Sequence, residues 1–214
     1  MVAQNLIKIL DRIPSDVTLV AVSKTKSNEA ILEAYIAGQR VFGENKVQEL
    51  VLKAETLPVD IEWHMIGHLQ TNKVKFIAPF VSLIHGVDSL KLLTEINKRA
   101  TQNKRIIDCL LQVYIANKET KFGLDELQVR DLLVLSKVFS NVRVVGLMGM
   151  ATNTKEESQI SLEFANLRRL SEKLQVENSQ LQTVSMGMSG DYILAIKEGS
   201  TMVRVGSAIF GTRN

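Results

Sequence analysis

Residues 17–24 read Val17-Thr18-Leu19-Val20-Ala21-Val22-Ser23-Lys24, a β-branched and nearly unbroken apolar run that stops at one charge. Such a run marks a strand buried on both faces, as strands of parallel sheets are. The amine at its C-terminal tip rides on a rigid element. It can cap the strand toward water or point into a cavity above the sheet. Burial in a cavity disfavours the ammonium and frees the nucleophilic amine. Lys24 is therefore a candidate imine-forming residue, and its neighbours must supply the cavity.

Seven further segments repeat the pattern. Strands are expected at Arg40–Asn45, Ile61–Gly67, Leu83–Asp88, Ile106–Ile115, Val142–Met150, Thr183–Met188 and Val203–Phe210. Helical spacing lies between them. Ile31, Leu32, Tyr35 and Ile36 recur in 28–37, Leu92, Leu93 and Ile96 in 89–102, and Ile160, Leu162, Phe164, Leu167 and Leu170 in 156–175. Ser27-Asn28 and Asp88-Ser89 suit helix starts, and Gly38 suits a helix end. Strict alternation of strand and helix implies a parallel sheet with right-handed crossovers. Eight units in 214 residues give about 27 residues each, which fits a single (β/α)8 TIM-type barrel over 17–210. An open doubly wound sheet would normally place a glycine-rich turn after its first strand, where this chain has Lys24-Thr25-Lys26. No linker or low-complexity stretch divides residues 1–214, so one domain is expected.

Leu6, Ile9, Leu10 and Ile13 recur at helical spacing ahead of Pro14, and Lys8 and Asp11 interrupt them. This predicts an extra amphipathic helix over residues 1–13, not a signal peptide. No apolar stretch reaches membrane-spanning length. The net charge of +3 is not gathered into a stripe, which argues against nucleic acid. The lone cysteine, Cys109, sits in an apolar run and suits a reducing compartment. A cytoplasmic protein is expected, large enough to bury a core without disulfides.

In barrels of this kind the chemistry lies at the C-terminal ends of the strands. Those ends carry Lys24, Gly43-Glu44-Asn45, His64 with Gly67-His68, His85 with Asp88, Tyr114, Met148-Gly149-Met150, Ser185–Asp191 and Arg204–Ser207. Ser189 is expected to cap a helix beginning near Tyr192, and Gly206-Ser207 lets backbone approach a ligand and adds a hydroxyl. Loops after strands seven and eight bind phosphate in many such barrels. Arg204, inside an apolar strand, needs a partner: a ligand, or a carboxylate such as Asp191 or Glu198. His64 and His68 are four apart, which on a strand is too far for one metal ion, so no metal site is expected. An imine-forming lysine, a phosphate cup and an arginine together suit pyridoxal phosphate.

The segments Ala21–Lys24, Phe42–Asn45 with Gln48-Glu49, Trp63–Gln70, Lys121–Gly123, Gly146–Met148, Ser185–Ser189 and Val203–Gly211 resemble, in order and spacing, the pyridoxal phosphate homeostasis protein family. Its bacterial members are called YggS-like, and they are similar to the barrel of alanine racemase, fold-type III of the pyridoxal phosphate proteins. The resemblance runs end to end. It implies that Lys24 holds the cofactor as an internal aldimine and that Asn45 lies near the ring hydroxyl. It places the phosphate on Ser189, Gly206 and Ser207, helped by Ser185 and the backbone of Met186, Gly187 and Met188. Arg204 would face the pyridine nitrogen. His64 and Met148, at the ends of their strands, complete the expected cofactor-binding set. The role implied is regulatory: carrying or buffering pyridoxal phosphate and influencing amino-acid and keto-acid balance, without established turnover. The alternative is an amino-acid racemase, whose second base would come from Tyr114, His64 or Tyr192. Alanine racemase has a further β-rich domain at its dimer interface, and this chain has no room for one after Phe210, so a monomer is expected. Expected partners are the cofactor itself and either apoenzymes that need it or a regulatory protein.

Overall fold

A computed structural model describes residues 1–116 and 123–211. Lys121 and Phe122 of the Lys121–Gly123 motif therefore lie outside the described residues. In chain order the elements are α1 (Val2–Leu10), β1 (Thr18–Val22), α2 (Asn28–Ile36), β2 (Val41–Glu44), α3 (Val47–Thr56), β3 (Glu62–Met65), a 3-10 turn (Thr71–Lys73), α4 (Val74–Ile77) and β4 (Leu83–Val87). They continue with α5 (Leu90–Gln102), β5 (Ile107–Gln112), α6 (Glu126–Ser136), β6 (Val142–Met148), α7 (Glu157–Gln175), β7 (Thr183–Ser185), α8 (Tyr192–Lys197), β8 (Met202–Val205) and α9 (Ser207–Phe210). Each strand pairs in parallel with its neighbour in sequence, and β8 closes on β1 from Thr18↔Met202 to Ala21↔Val205. The expected (β/α)8 barrel is the fold.

Side chains along a strand alternate between two faces, and the core divides accordingly. On β1, Leu19 and Ala21 face the helices and join the main core, while Val20 points into the barrel. There it meets Leu83, Leu110, Met148 and Met202 as an apolar plug. The outer core contains Phe42, Trp63, Met65, Ile84, Leu111, Leu147 and Val203 from the strands, with Ile31, Leu50, Leu93, Phe164 and Leu167 from the helices. Ser27 and Ser89 cap α2 and α5, accepting from Ala30 N (3.4 Å) and Leu92 N (3.3 Å). Gly38 follows α2 at φ +103°, the left-handed conformation a glycine stop requires.

Several expected boundaries move. The eighth strand ends at Val205, not Phe210, and Ser207–Phe210 coils into α9, with Ile209 N and Phe210 N both bonding to Gly206 O at 2.9 Å. The apolar run 208–210 carries no period that separates strand from helix. The chain turns at Gly206 because it passes close to β1: a Cβ there would meet Val22 O at 3.1 Å. The seventh strand stops at Ser185. The N-terminal helix ends at Leu10, with Leu6 and Ile9 buried and Leu10 exposed. Ile36 and Leu162, expected on buried helix faces, are also exposed.

Candidate functional site

The C-terminal ends of the strands surround a cavity of about 710 Å³. Val22 lines it from the same face of β1 as Val20, and Lys24 enters it from the turn that follows the strand. Asn45 enters from the residue that follows β2. Arg204 comes from β8, Ser189 from the β7–α8 loop, and Gly206 and Ser207 from the turn into α9. Thus Lys24, Asn45, Ser189, Arg204, Gly206 and Ser207 share one cavity. Lys26, Ile66, Gly67, His68, Asp88, Gln112, Met150 and Met188 complete most of the wall. The loops after β2 and β3 touch directly: a Cβ on Gly67 would stand 2.5 Å from Asn45 O.

His64, Met148, Ser185, Met186 and Gly187 do not line this cavity. Met148 belongs to the apolar plug and Met186 to the outer core. Gly187, at φ +96°, accepts from Arg204 N (3.0 Å) and so secures β8. Ser189 is not the cap of α8. Asp191 occupies that position and accepts from Met188 N, while Ser189 Oγ turns to the β8–α9 turn and accepts from Gly206 N at 3.0 Å and Ala208 N at 3.5 Å. Ser189 stands two residues too early in the chain to reach the α8 amides.

Beneath the cavity lies a buried polar chain. Arg204 Nη1 donates to Ser185 O (2.9 Å) and Ser185 Oγ (2.6 Å), and Nη2 donates to Gly149 O (3.0 Å). That leaves the Ser185 hydroxyl hydrogen for His85 Nδ1 (3.2 Å), and His85 Nε2 then donates to His64 Nδ1 (3.1 Å). Burial holds both imidazoles neutral, His64 down to about 3 and His85 well below the usual histidine range. Burial also lowers the Arg204 guanidinium to about 10, opposed by the charge of Asp191, so Arg204 stays a cation at neutral pH. Its hydrogen-bond partners among the described residues are all neutral, and Glu198 is engaged by Ser161 instead. A buried cation without a bonded carboxylate is costly unless a ligand compensates it.

His64 and His68 are held apart by different partners. His68 is exposed at the rim, with Nδ1 3.4 Å from Asp88 Oδ2. Gln112 had a signal that overlong strand boundaries hid: it shares strand parity with Leu110, and taking the strand to Ile115 moves the apparent tip to Tyr114.

A family model described as the alanine racemase N-terminal domain matches residues 1–214. The pyridoxal phosphate homeostasis protein of Aquifex aeolicus (strain VF5) is 43% identical over 197 residues, covering 91% of this chain and 86% of its own. That of Escherichia coli (strain K12) is 36% identical over 230 residues, covering 100% and 97%. Among solved structures, PipY of Synechococcus elongatus PCC7942 with pyridoxal phosphate bound superposes with a TM-score of 0.90 at 37% identity, covering 99% of this chain and 100% of that one. Alanine racemase from Bartonella henselae, at 18% identity and a TM-score of 0.74, covers 99% of this chain and 58% of that one and shares the fold. With a family model over its whole length and full-length relatives above one-third identity, this chain belongs to the pyridoxal phosphate homeostasis protein family, built on the alanine racemase N-terminal barrel.

Proposed function

We propose that this protein binds pyridoxal phosphate reversibly and serves its homeostasis, carrying or buffering the cofactor and passing it to apoenzymes that need it. The observation that carries this reading is Arg204, a buried cation whose hydrogen-bond partners among the described residues are all neutral, at the base of a cavity that Lys24 also enters. The lining residues fit the group. Among the described lining residues Lys24, Lys26 and Arg204 outnumber the one carboxylate, Asp88, which suits an anion. Ser189 and Ser207 carry hydroxyls on the wall where a phosphate would rest, Gly206 adds no side chain there, and Asn45 can meet the ring hydroxyl. Lys24 Nζ would hold the aldehyde carbon. When bound, the cofactor supplies an aldehyde that condenses reversibly with amines and a ring that can accept electrons.

Arg204 has N–H groups beyond the three bonds it makes to protein, and it lines the cavity. A guanidinium donates a hydrogen bond to a ring nitrogen and accepts none, so it keeps that nitrogen unprotonated. Carbanion chemistry is weakly promoted in consequence. Racemisation would also need a base on each face of the substrate. Tyr114, His64 and Tyr192 lie outside the cavity lining, which favours the binding role.

The test is direct. Protein loaded with pyridoxal phosphate is treated with borohydride, digested and weighed by mass spectrometry. We expect one adduct on Lys24 and none in Lys24→Ala. An adduct of equal stoichiometry on Lys26 in Lys24→Ala overturns the assignment. Conversion of an L-amino acid to its D form above free cofactor, lost in Lys24→Ala, overturns the non-catalytic role.

A further inference from the structure

The turn that carries Lys24 has an unusual backbone. Lys26 N bonds to Ser23 O at 3.0 Å, which closes the four-residue turn Ser23-Lys24-Thr25-Lys26. Thr25, its third residue, has φ +64°, while Lys24 is not in the left-handed region. That combination is a type II turn, whose third position normally takes glycine or asparagine. A β-branched residue there is strained, and strain of this kind persists only when surrounding structure enforces it.

Helix α3 supplies the enforcement. Glu49 Oε1 accepts from Thr25 N at 2.5 Å, and Lys53 Nζ, one helical turn on, donates to Ser23 O at 2.8 Å. The two side chains pair with each other at 2.6 Å. Lys53 also bonds Glu44 Oε1 (2.8 Å), which takes the Ser23 hydroxyl at 2.6 Å. Both Glu44 and Lys53 are buried, and Glu44 Oε2 is buried with no hydrogen-bond partner among the described residues. A buried ionic cluster with an orphaned carboxylate oxygen is a poor device for stability alone. This one grips two backbone atoms flanking Lys24.

Building on Lys24 as the cofactor-holding residue, we propose that Glu49 and Lys53 are positioning residues: they clamp the strained Ser23–Lys26 turn so that Lys24 Nζ is presented to the aldehyde carbon. In the step they serve, Nζ of neutral Lys24 bonds to that carbon, and the aldehyde oxygen departs as water with the two amine hydrogens. The clamp touches neither the cofactor nor the reacting atoms. It sets the geometry of attack, where a displacement of an ångström is expensive.

Glu49 is the residue to change, because its loss leaves the buried Glu44–Lys53 pair intact. Two measurements separate positioning from folding. One is the rate of colour formation with pyridoxal phosphate. The other is the affinity for pyridoxine 5′-phosphate, which has the same ring and phosphate but an alcohol in place of the aldehyde. We expect Glu49→Ala to slow colour formation about tenfold with unchanged pyridoxine 5′-phosphate affinity. Glu49→Gln, which keeps an acceptor for Thr25 N, should stay near wild type. Thr25→Gly in the Glu49→Ala background should restore the rate, since glycine adopts φ > 0 without the clamp. An unchanged rate in Glu49→Ala, a parallel loss of pyridoxine 5′-phosphate affinity, or no rescue by Thr25→Gly overturns the proposal. Wild-type protein that forms no covalent adduct at Lys24 instead overturns the function on which it is built.

Discussion

Gly146 and Gly190 show how differently two residues of one type constrain this chain. A Cβ on Gly146 would stand 1.8 Å from Thr183 O on the neighbouring strand, whereas nothing lies within 4 Å of one on Gly190. Backbone on a central strand has little room to yield. Gly146→Ala should therefore cost about 3 kcal/mol, read as a lower urea midpoint at unchanged slope. Gly190→Ala should fall within about 0.5 kcal/mol of wild type in the same assay. Lys24 was legible as a single residue because it ends an apolar run, and Arg204 because it interrupts one, although only the closed barrel shows which face Arg204 takes; Asn45 stood out through the family resemblance. Glu44 was not distinguished from its rim neighbours, although strand parity turns it outward, toward Lys53 of α3. Its carboxyl, raised above the usual range by burial, then lies behind the site and not in it.

Helix α6 starts at a full capping box. Asp125 accepts from Gln128 N at 2.9 Å, and the Gln128 side chain accepts from Asp125 N at 2.9 Å. Asp125→Ala should cost about 1 kcal/mol and lower the melting temperature by about 2–4 °C, measured by circular dichroism. The helix is hard to read from spacing because its apolar residues do not keep to one face. Val129, Leu132 and Leu133 are buried while Leu127 and Val134 are exposed. By contrast α5, with Leu92, Leu93, Ile96 and Ala100 buried along one stripe, was plain from spacing. All eight strands could be found: β1, β4, β5 and β6 are dense apolar runs, and the short β2, β3 and β7 fall where the regular alternation with helices calls for a strand. Their ends could not, since apolar residues continue into the following turn, as at 208–210. Hydrogen bonds end a strand there, and composition does not.

The interior of the barrel is apolar on one side of the site and polar directly beneath it, and this makes the whole molecule sensitive to acid. In the unfolded chain His64 and His85 take up protons around 6.5, while folded His64 refuses one until about 3 and folded His85 also lies far below. The unfolded state thus binds more protons across this window. Stability should be complete above pH 6.5 and fall as pH drops toward 3, by about 1.4 kcal/mol per pH unit for each histidine. Glu44 acts in the opposite sense: its raised value favours the fold at low pH, and that contribution is lost as pH rises. Urea midpoints between pH 7 and pH 4 for wild type and His85→Gln isolate the histidine contribution. A shallower fall in the variant is expected, and an identical fall would show that the buried imidazoles are not its source.

The order of strand and helix, and hence the rim where ligand groups gather, were contained in the amino-acid order. Those features follow from periodicity, which is local to each segment. The partners of Arg204, the chain from Ser185 through His85 to His64, and the α3 clamp on the Lys24 turn exist only once the barrel closes. Ser185 and His85 are 100 residues apart in the chain and 3.2 Å apart in space. How strands tilt and register against one another sets such distances, and no local pattern encodes that.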